Sequence, residues 1–307
     1  MTREAAGVRV GTASWTEKTL LESGAFYPPT ARTAEERLRF YASRFRVVEV
    51  DATYYALPSA RNAAAWAERT PDDFLFGVKA FAAMTGHQVE PVRLDRDLQA
   101  ALPAPMRRAR QVAAAALPAE MRDEIWPRFV QNLAPLVSAR KLAYVLLQLP
   151  PWCRPSDESR AFVEDGAARL GALPVAVEFR ERGWLAGDEA ESTFEWLRRR
   201  GLTYVCVDEP QGTPSSVPPV AEVTSPDLAV VRFHGRRQET WTHPNVGTTE
   251  RFRYHYTTNE LAEWVPRIRA LAKGSRRVLA LMNNCYRNYA VQNAADLTAL
   301  LTTTTAT

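Results

Sequence analysis

The chain has 307 residues, of which 46% are hydrophobic and 24% are charged, and its net charge is +4. These values are typical of a soluble globular protein with a sizeable core, and they exclude a disordered chain. No apolar run reaches the roughly 20 residues of a membrane helix, and the N-terminus lacks a signal pattern. We therefore expect a cytoplasmic protein that does not contact membranes.

Eight short apolar runs recur along the chain, and each is followed by a helical pattern. The runs are rich in β-branched or aromatic residues and are largely apolar on both faces, which is typical of parallel strands covered by helices. The predicted strands are 8–12, 47–51, 74–79, 143–148, 175–178, 203–208, 228–234 and 277–283.

The helical patterns between these strands carry recognisable start signals. Thr33 followed by Glu36 has the spacing of a capping box and predicts a helix over 34–45. The other predicted helices are 60–68, 127–137, 156–170, 190–200, 258–271 and 290–300. Strict alternation of strands and helices predicts an α/β protein with a (β/α)8 TIM-type barrel, and a doubly wound open sheet is the second alternative.

We predict a single barrel domain over 1–300 and a flexible tail over 301–307. The connection between the third and fourth strands, 82–139, is much longer than the others. Its arginine- and alanine-rich part predicts an inserted helix near 106–117, in a segment that covers part of the barrel.

Polar residues cluster at the carboxyl ends of the predicted strands, where barrel enzymes place their catalytic groups. Glu49 and Asp51 share one face of their strand, because side chains alternate with a period of two. The same reading directs a larger set of polar side chains toward one cavity: Lys79, Gln148, Glu178, Arg180, Asp208, Arg232, His234, Asn283 and Asn284. The alternative is an internal network of salt bridges, since buried charges are normally paired.

Aromatic residues follow several strands directly. Trp15, Tyr54, Trp152 and Trp184 are the rim residues expected to bind substrate, and Tyr55 and Trp241 lie in similar positions. Aromatic platforms of this kind suit a sugar ring or a nucleobase, because both present a flat face for stacking.

These motifs resemble the domain-of-unknown-function 72 family (YecE-like proteins) over essentially the whole chain. The segments that carry the resemblance are 11–15 (GTASW), 26–28 (FYP), 48–55 (VEVDATYY), 76–80 (FGVKA), 147–151 (LQLPP), 177–180 (VEFR), 232–235 (RFHG) and 283–284 (NN). The resemblance implies a TIM-type barrel but no settled activity. Asp51 and Tyr54 replace the asparagine and phenylalanine usual in that family, so Asp51 adds a carboxylate beside Glu49 that the resemblance does not account for.

The first functional hypothesis is an enzyme that acts on a polar or anionic, sugar- or nucleotide-like small molecule by acid–base chemistry. Glu49 and Glu178 are the expected acid and base, and the further catalytic candidates are Lys79, Asp208 and His234. Arg180 and Arg232 would hold anionic groups, with Asp51, Gln148 and the two asparagines as further binding residues. A hydrolase-, lyase- or isomerase-like reaction without a redox cofactor fits this set.

The second hypothesis is a nucleic-acid-binding protein that uses basic rim helices and stacking aromatics. Arginine runs such as 198–200 carry the positive charge, although a solvated helix face explains them at least as well. A divalent metal held by the carboxylates and His234 is less favoured, because three basic residues at the mouth already offer partners. The sequence makes no prediction of the oligomeric state.

Overall fold

Eight parallel strands form a closed barrel in the computed structural model, which describes residues 7–213, 215–243 and 246–303. Each strand pairs with the next along the chain, and β8 returns to β1 in a register from Val8–Val278 to Thr12–Met282. The strands are β1 Val8–Thr12, β2 Val47–Val50, β3 Leu75–Lys79, β4 Leu142–Gln148, β5 Val175–Glu178, β6 Thr203–Asp208, β7 Ala229–Phe233 and β8 Val278–Met282. The closure confirms the TIM-type barrel over the open sheet.

The helices pack around this barrel or lie in its connections. They are α1 Lys18–Ser23, α2 Ala34–Arg44, α3 Ala60–Glu68, α4 Arg96–Ala101, α5 Ala104–Arg108, α6 Ala119–Ser138, α7 Asp157–Leu170, α8 Asp188–Arg200, α9 Gln238–Trp241, α10 Thr248–Arg251, α11 Thr258–Ala262, α12 Val265–Gly274 and α13 Tyr289–Thr303. The capping box of α2 is present: the Thr33 hydroxyl accepts from the Glu36 amide at 3.1 Å, and Glu36 accepts from the Thr33 amide at 2.8 Å. In the described part of the chain, no helix is long and apolar enough to cross a membrane.

Two predicted helices have different boundaries in the structure. α6 begins eight residues before the predicted start at Pro127, because buried Met121 and Ile125 extend its apolar face toward the N-terminus. The predicted helix 258–271 is divided into α11 and α12 around Trp264. Pro266 lies in the first turn of α12, where its missing N–H leaves no hydrogen bond unmade.

The long connection after β3 does not contain the predicted helix 106–117. α5 ends at Arg108, and Val112–Ala113 instead pairs antiparallel with Gln88–Val89. Pro118 disfavours helical backbone at the preceding residue, and the strand pairing overrides the helix propensity of the alanines. At the other end, α13 continues to Thr303, so the predicted tail is helical over 301–303, while 304–307 lie outside the described residues.

Candidate functional site

The floor of the barrel mouth is a charged network centred on Arg232 of β7. Its Nη2 donates to Glu49 Oε1 of β2 at 2.6 Å, and its Nη1 donates to Glu178 Oε2 of β5. All three side chains are fully buried. Because β2, β5 and β7 are not neighbours in the barrel, these contacts cross its interior, as the two-residue period predicts.

Two further side chains complete the hydrogen bonding of the carboxylates. The Tyr144 hydroxyl donates to Glu49 Oε2 at 2.7 Å, and Gln148 Nε2 donates to Glu178 Oε1 at 2.6 Å. Tyr144 lies beside Gly77 of β3, where a Cβ atom would stand 2.4 Å from the phenol ring. The absence of a side chain at Gly77 therefore makes room for the ring that reaches Glu49.

His234 extends the network toward the end of β8. Its Nε2 lies 2.9 Å from Glu178 Oε1, and its Nδ1 lies 2.8 Å from Asn283 Nδ2. Burial lowers the pKa of His234 to about 4, although the Glu178 charge opposes this shift. The imidazole is therefore neutral at pH 7, with Nε2–H donating to the carboxylate and Nδ1 accepting from the amide.

The two floor carboxyls have pKa values shifted in opposite directions. Burial disfavours ionisation of both. For Glu178, the charge of Arg232 and the hydrogen bond from His234 overcome burial and hold its pKa well below the ordinary value. For Glu49, burial prevails over Arg232, and the nearby Asp51 carboxylate raises the pKa further. Glu178 therefore remains ionised, whereas Glu49 holds a proton more readily.

A second layer of charges lies above the floor and reaches solvent. Lys79 Nζ lies 3.9 Å from Asp51 Oδ1, and Arg180 Nη1 lies 3.2 Å from both Glu178 Oε1 and Glu209 Oε2. The Lys79 and Arg180 side chains are 14% and 13% exposed. Burial lowers the pKa of Lys79, against the attraction of Asp51.

Glu209 belongs to this layer although the sequence reasoning did not select it. Its Oε1 accepts from the Val217 amide at 2.8 Å, and its Oε2 is buried without a hydrogen-bond partner. Burial raises the pKa of Glu209 to about 7, although the Arg180 charge opposes this. The strand period contained the signal, because the residue after Asp208 must lie on the opposite face of β6.

Aromatic rings line one side of the mouth. The centroid of the His87 ring lies 5.3 Å from that of Tyr54 and 5.7 Å from that of Trp152. Lys79 Nζ lies 4.5 Å from the centre of the Tyr54 ring. Burial lowers the pKa of His87 to about 4, with the Lys79 and Arg180 charges acting in the same direction. The sequence reasoning did not place His87 in the site, because it lies in the inserted connection rather than at a strand end.

The segment after β7 covers the opposite side of the mouth. Trp241 of α9 and Phe252 lie 6.1 and 5.8 Å from the His234 ring. The Arg180 guanidinium carbon lies 4.6 Å from the centre of the Trp241 ring. His234 is therefore enclosed from above, while Lys79 and Tyr54 border the more open side.

Asp208, expected among the catalytic residues, does not face the mouth. Its carboxylate accepts from Tyr256 Oη at 2.7 Å, Trp264 Nε1 at 2.6 Å and Arg236 Nη2 at 2.7 Å. Asp208 shares the helix-facing side of β6 with Tyr204, which packs on the helices around the barrel. The expectation of a catalytic role is corrected, and the residue fixes the outer layer.

Three residues expected to bind substrate make contacts within the protein instead. Trp184 stacks on Phe179 at 4.6 Å and donates to the Cys153 carbonyl at 2.7 Å, so it lies in the core between barrel and helices. Asn284 Nδ2 donates to the Tyr254 carbonyl at 2.8 Å and thereby holds a neighbouring loop. Trp15 is buried, and its indole packs edge-on against α3.

The carboxylates that could ligate a divalent metal are engaged elsewhere. Glu49 and Glu178 bind Arg232, and Asp208 lies on the far side of β6. Within the described ranges, no three His, Cys, Asp or Glu side chains form a metal-ligand group.

Comparison with known proteins gives a consistent set of relatives. A family model described as a protein of unknown function, DUF72, matches residues 9–307. UPF0759 protein YunF of Bacillus subtilis is 32% identical over 280 residues, which cover 90% of each chain. Solved DUF72 family proteins from Thermotoga maritima (27% identity, TM-score 0.74, covering 96% of this chain and 99% of that one) and Enterococcus faecalis (24%, 0.76, 96% and 95%) share the fold.

Proposed function

The chain belongs to the DUF72 family, and from this premise we propose that it is an enzyme acting on a small anionic, ring-containing molecule by acid–base chemistry. The observation that carries the proposal is the pair of partly exposed cations, Lys79 and Arg180, above a buried floor and beside aromatic rings. A pocket with a few convergent polar groups and perturbed titratable residues is typical of a substrate site.

The charges of this layer favour an anion. The charges of Lys79 and Arg180 both act on His87 and help burial to lower its pKa, so both cations lie near the aromatic side of the mouth. Asp51 lies 3.9 Å from Lys79, beyond hydrogen-bonding distance, so the ammonium retains donors for a ligand. An entering phosphate or carboxylate would form charge-assisted hydrogen bonds with both cations.

The second layer also supplies a group for proton transfer. Glu209 has a pKa of about 7, close to the value that suits a general acid or base at neutral pH. Its Oε2 atom is buried, with an ion contact to the partly exposed Arg180 and no hydrogen-bond partner, so it retains the capacity to accept or donate a proton beside that cation. We assign proton exchange to Glu209. Glu178 and Glu49, the acid–base pair expected from the sequence, lie one layer below and shift the pKa values of the groups above them.

Calorimetric titration with inorganic phosphate, sugar phosphates and nucleoside monophosphates tests this proposal. Arg180→Gln removes a charged donor, which is worth about 1.5–3 kcal/mol, so affinity for the bound anion should fall roughly 10- to 100-fold. Arg199→Gln is the matched control, since Arg199 is 68% exposed in the last turn of α8, which leads into the start of β6 at the end of the barrel opposite the mouth. Failure of all these anions to bind, or equal affinities in Arg180→Gln and the control, would refute the proposal.

A nucleic-acid-binding function has weaker support, because the basic run 198–200 is paired with carboxylates. Arg198 lies 3.0 Å from Glu191, and Arg200 lies 2.8 Å from Glu164. A phosphate-binding track would instead present unpaired cations. Binding of single-stranded DNA that weakens steeply with salt would reverse this preference.

A further inference from the structure

A second cavity adjoins the mouth on its aromatic side and has a volume of about 710 Å³. Its walls include the rings of Tyr54, His87 and Trp152. Its polar groups come from Gln88, Gln111 and the ion pair of Glu90 with Arg93. The volume lies within the range of small-molecule sites. Most of these residues belong to the long connection after β3, which gives this connection a role beyond covering the barrel.

Trp152 presents an unusual surface in this cavity. Its side chain is 64% exposed, although an indole is among the largest apolar groups in a protein. The ring meets His87 at an interplanar angle of 65°, so this neighbour does not stack against its face. An exposed aromatic face at the wall of a cavity is suited to stack on a ligand ring.

Tyr54 is the residue that joins the cavity to the cations of the mouth. Tyr54 lines the cavity, and the centre of its ring lies 4.5 Å from Lys79 Nζ. A ligand whose ring lies beside Trp152 would pass Tyr54 to bring an anionic group to Lys79. This adjacency suits molecules that carry both a ring and an anion.

The polar edge of the cavity favours a heterocycle over a sugar. Gln88 and Gln111 carry exposed amides, and an amide both donates and accepts, which matches the mixed edge of a nucleobase. Base–aromatic stacking tolerates different bases because every base has a π-face. Resting on the proposed function, we infer that this cavity holds the base of a nucleotide whose phosphate lies against Lys79 and Arg180.

The test compares adenosine and uridine 5′-monophosphates with ribose 5-phosphate and inorganic phosphate, titrated into the full chain. The wild type should bind the nucleotides at least 10-fold more tightly than ribose 5-phosphate. Trp152→Ala should weaken nucleotide binding about 10-fold or more while leaving phosphate binding unchanged, because a stacked base is lost but the cations remain. Trp152→Phe should restore most of the affinity.

Phe162→Ala is the matched control, because Phe162 is 40% exposed and does not line this cavity. Equal nucleotide affinities in Trp152→Ala and this control would overturn the inference. So would tighter binding of ribose 5-phosphate than of either nucleotide, although anion binding that depends on Arg180 would then still support the proposed function. If none of the four probes binds, the proposed function fails and the inference fails with it. Unchanged melting temperatures would show that the variants are folded.

Discussion

Replacing Arg232 with methionine should destabilise the protein severely, because it leaves two carboxylates buried without their shared partner. Arg232 contacts Glu49 and Glu178, and all three side chains are fully buried. Removing one member of a buried ion pair costs about 3–5 kcal/mol, since an uncompensated charge remains in the interior. That loss is a large fraction of the roughly 5–15 kcal/mol by which proteins of this kind are stable.

Urea denaturation at pH 7 measures this loss directly, and a thermal melt should show a decrease of roughly 5–8 °C. Arg198→Met is the matched control, because Arg198 is paired on the surface, where ion pairs contribute about 1 kcal/mol or less. Adding Glu49→Gln and Glu178→Gln to Arg232→Met should recover part of the stability by removing the stranded charges. A loss no larger than that of Arg198→Met, or no recovery in the triple variant, would refute this reasoning.

Three further changes test separate parts of the structure. Asp208→Asn should lower the free energy of unfolding, measured in urea, by about 2–4 kcal/mol, because the Asp208 carboxylate accepts hydrogen bonds from buried donors outside the mouth. Anion affinity should not change, and a loss of affinity at unchanged stability would contradict the outer position of this residue. Gly77→Ala should cost about 1–3 kcal/mol in the same assay, because the new Cβ would stand 2.4 Å from the Tyr144 ring, whereas Gly247→Ala meets no atom within 4 Å and should be nearly neutral. Burial raises the pKa of Glu209 from 4.5 to about 7, so its stabilising protonation is complete below pH 4.5 and is lost as the pH rises through 7. The free energy of unfolding of the wild type should therefore fall by about 3 kcal/mol relative to that of Glu209→Gln as the pH rises over this range. Parallel pH profiles of the two proteins would contradict the assignment.

The barrel was predictable because its evidence is repeated eight times along the chain. Parallel strands covered on both faces must be apolar on both faces, and this pattern located every barrel strand to within one or two residues. The insertion was less predictable, because the backbone conformation of 106–117 depends on pairing between Val112–Ala113 and Gln88–Val89. Local helix propensity carries no information about such a distant partner.

The floor of the site was predictable for a related reason. Glu49 and Arg232 lie inside their strands and His234 directly follows β7, so the alternation of side chains determines the face that each occupies. Asp208 was misplaced because it was selected as a strand-terminal carboxylate rather than by its face, which it shares with Tyr204. Trp184 was misplaced because a short helical turn after β5 carries its ring back against Phe179.

The bridge at Arg232 has a consequence for how the barrel assembles. It joins residues 183 positions apart in the chain, so a molecule that has formed only some of its strands leaves these charges without partners. A partly formed apolar interior that enclosed them would be penalised, whereas solvent still stabilises them in the open chain. The network therefore disfavours incomplete barrels, and we expect closure of the ring and dehydration of its centre to occur in one cooperative step.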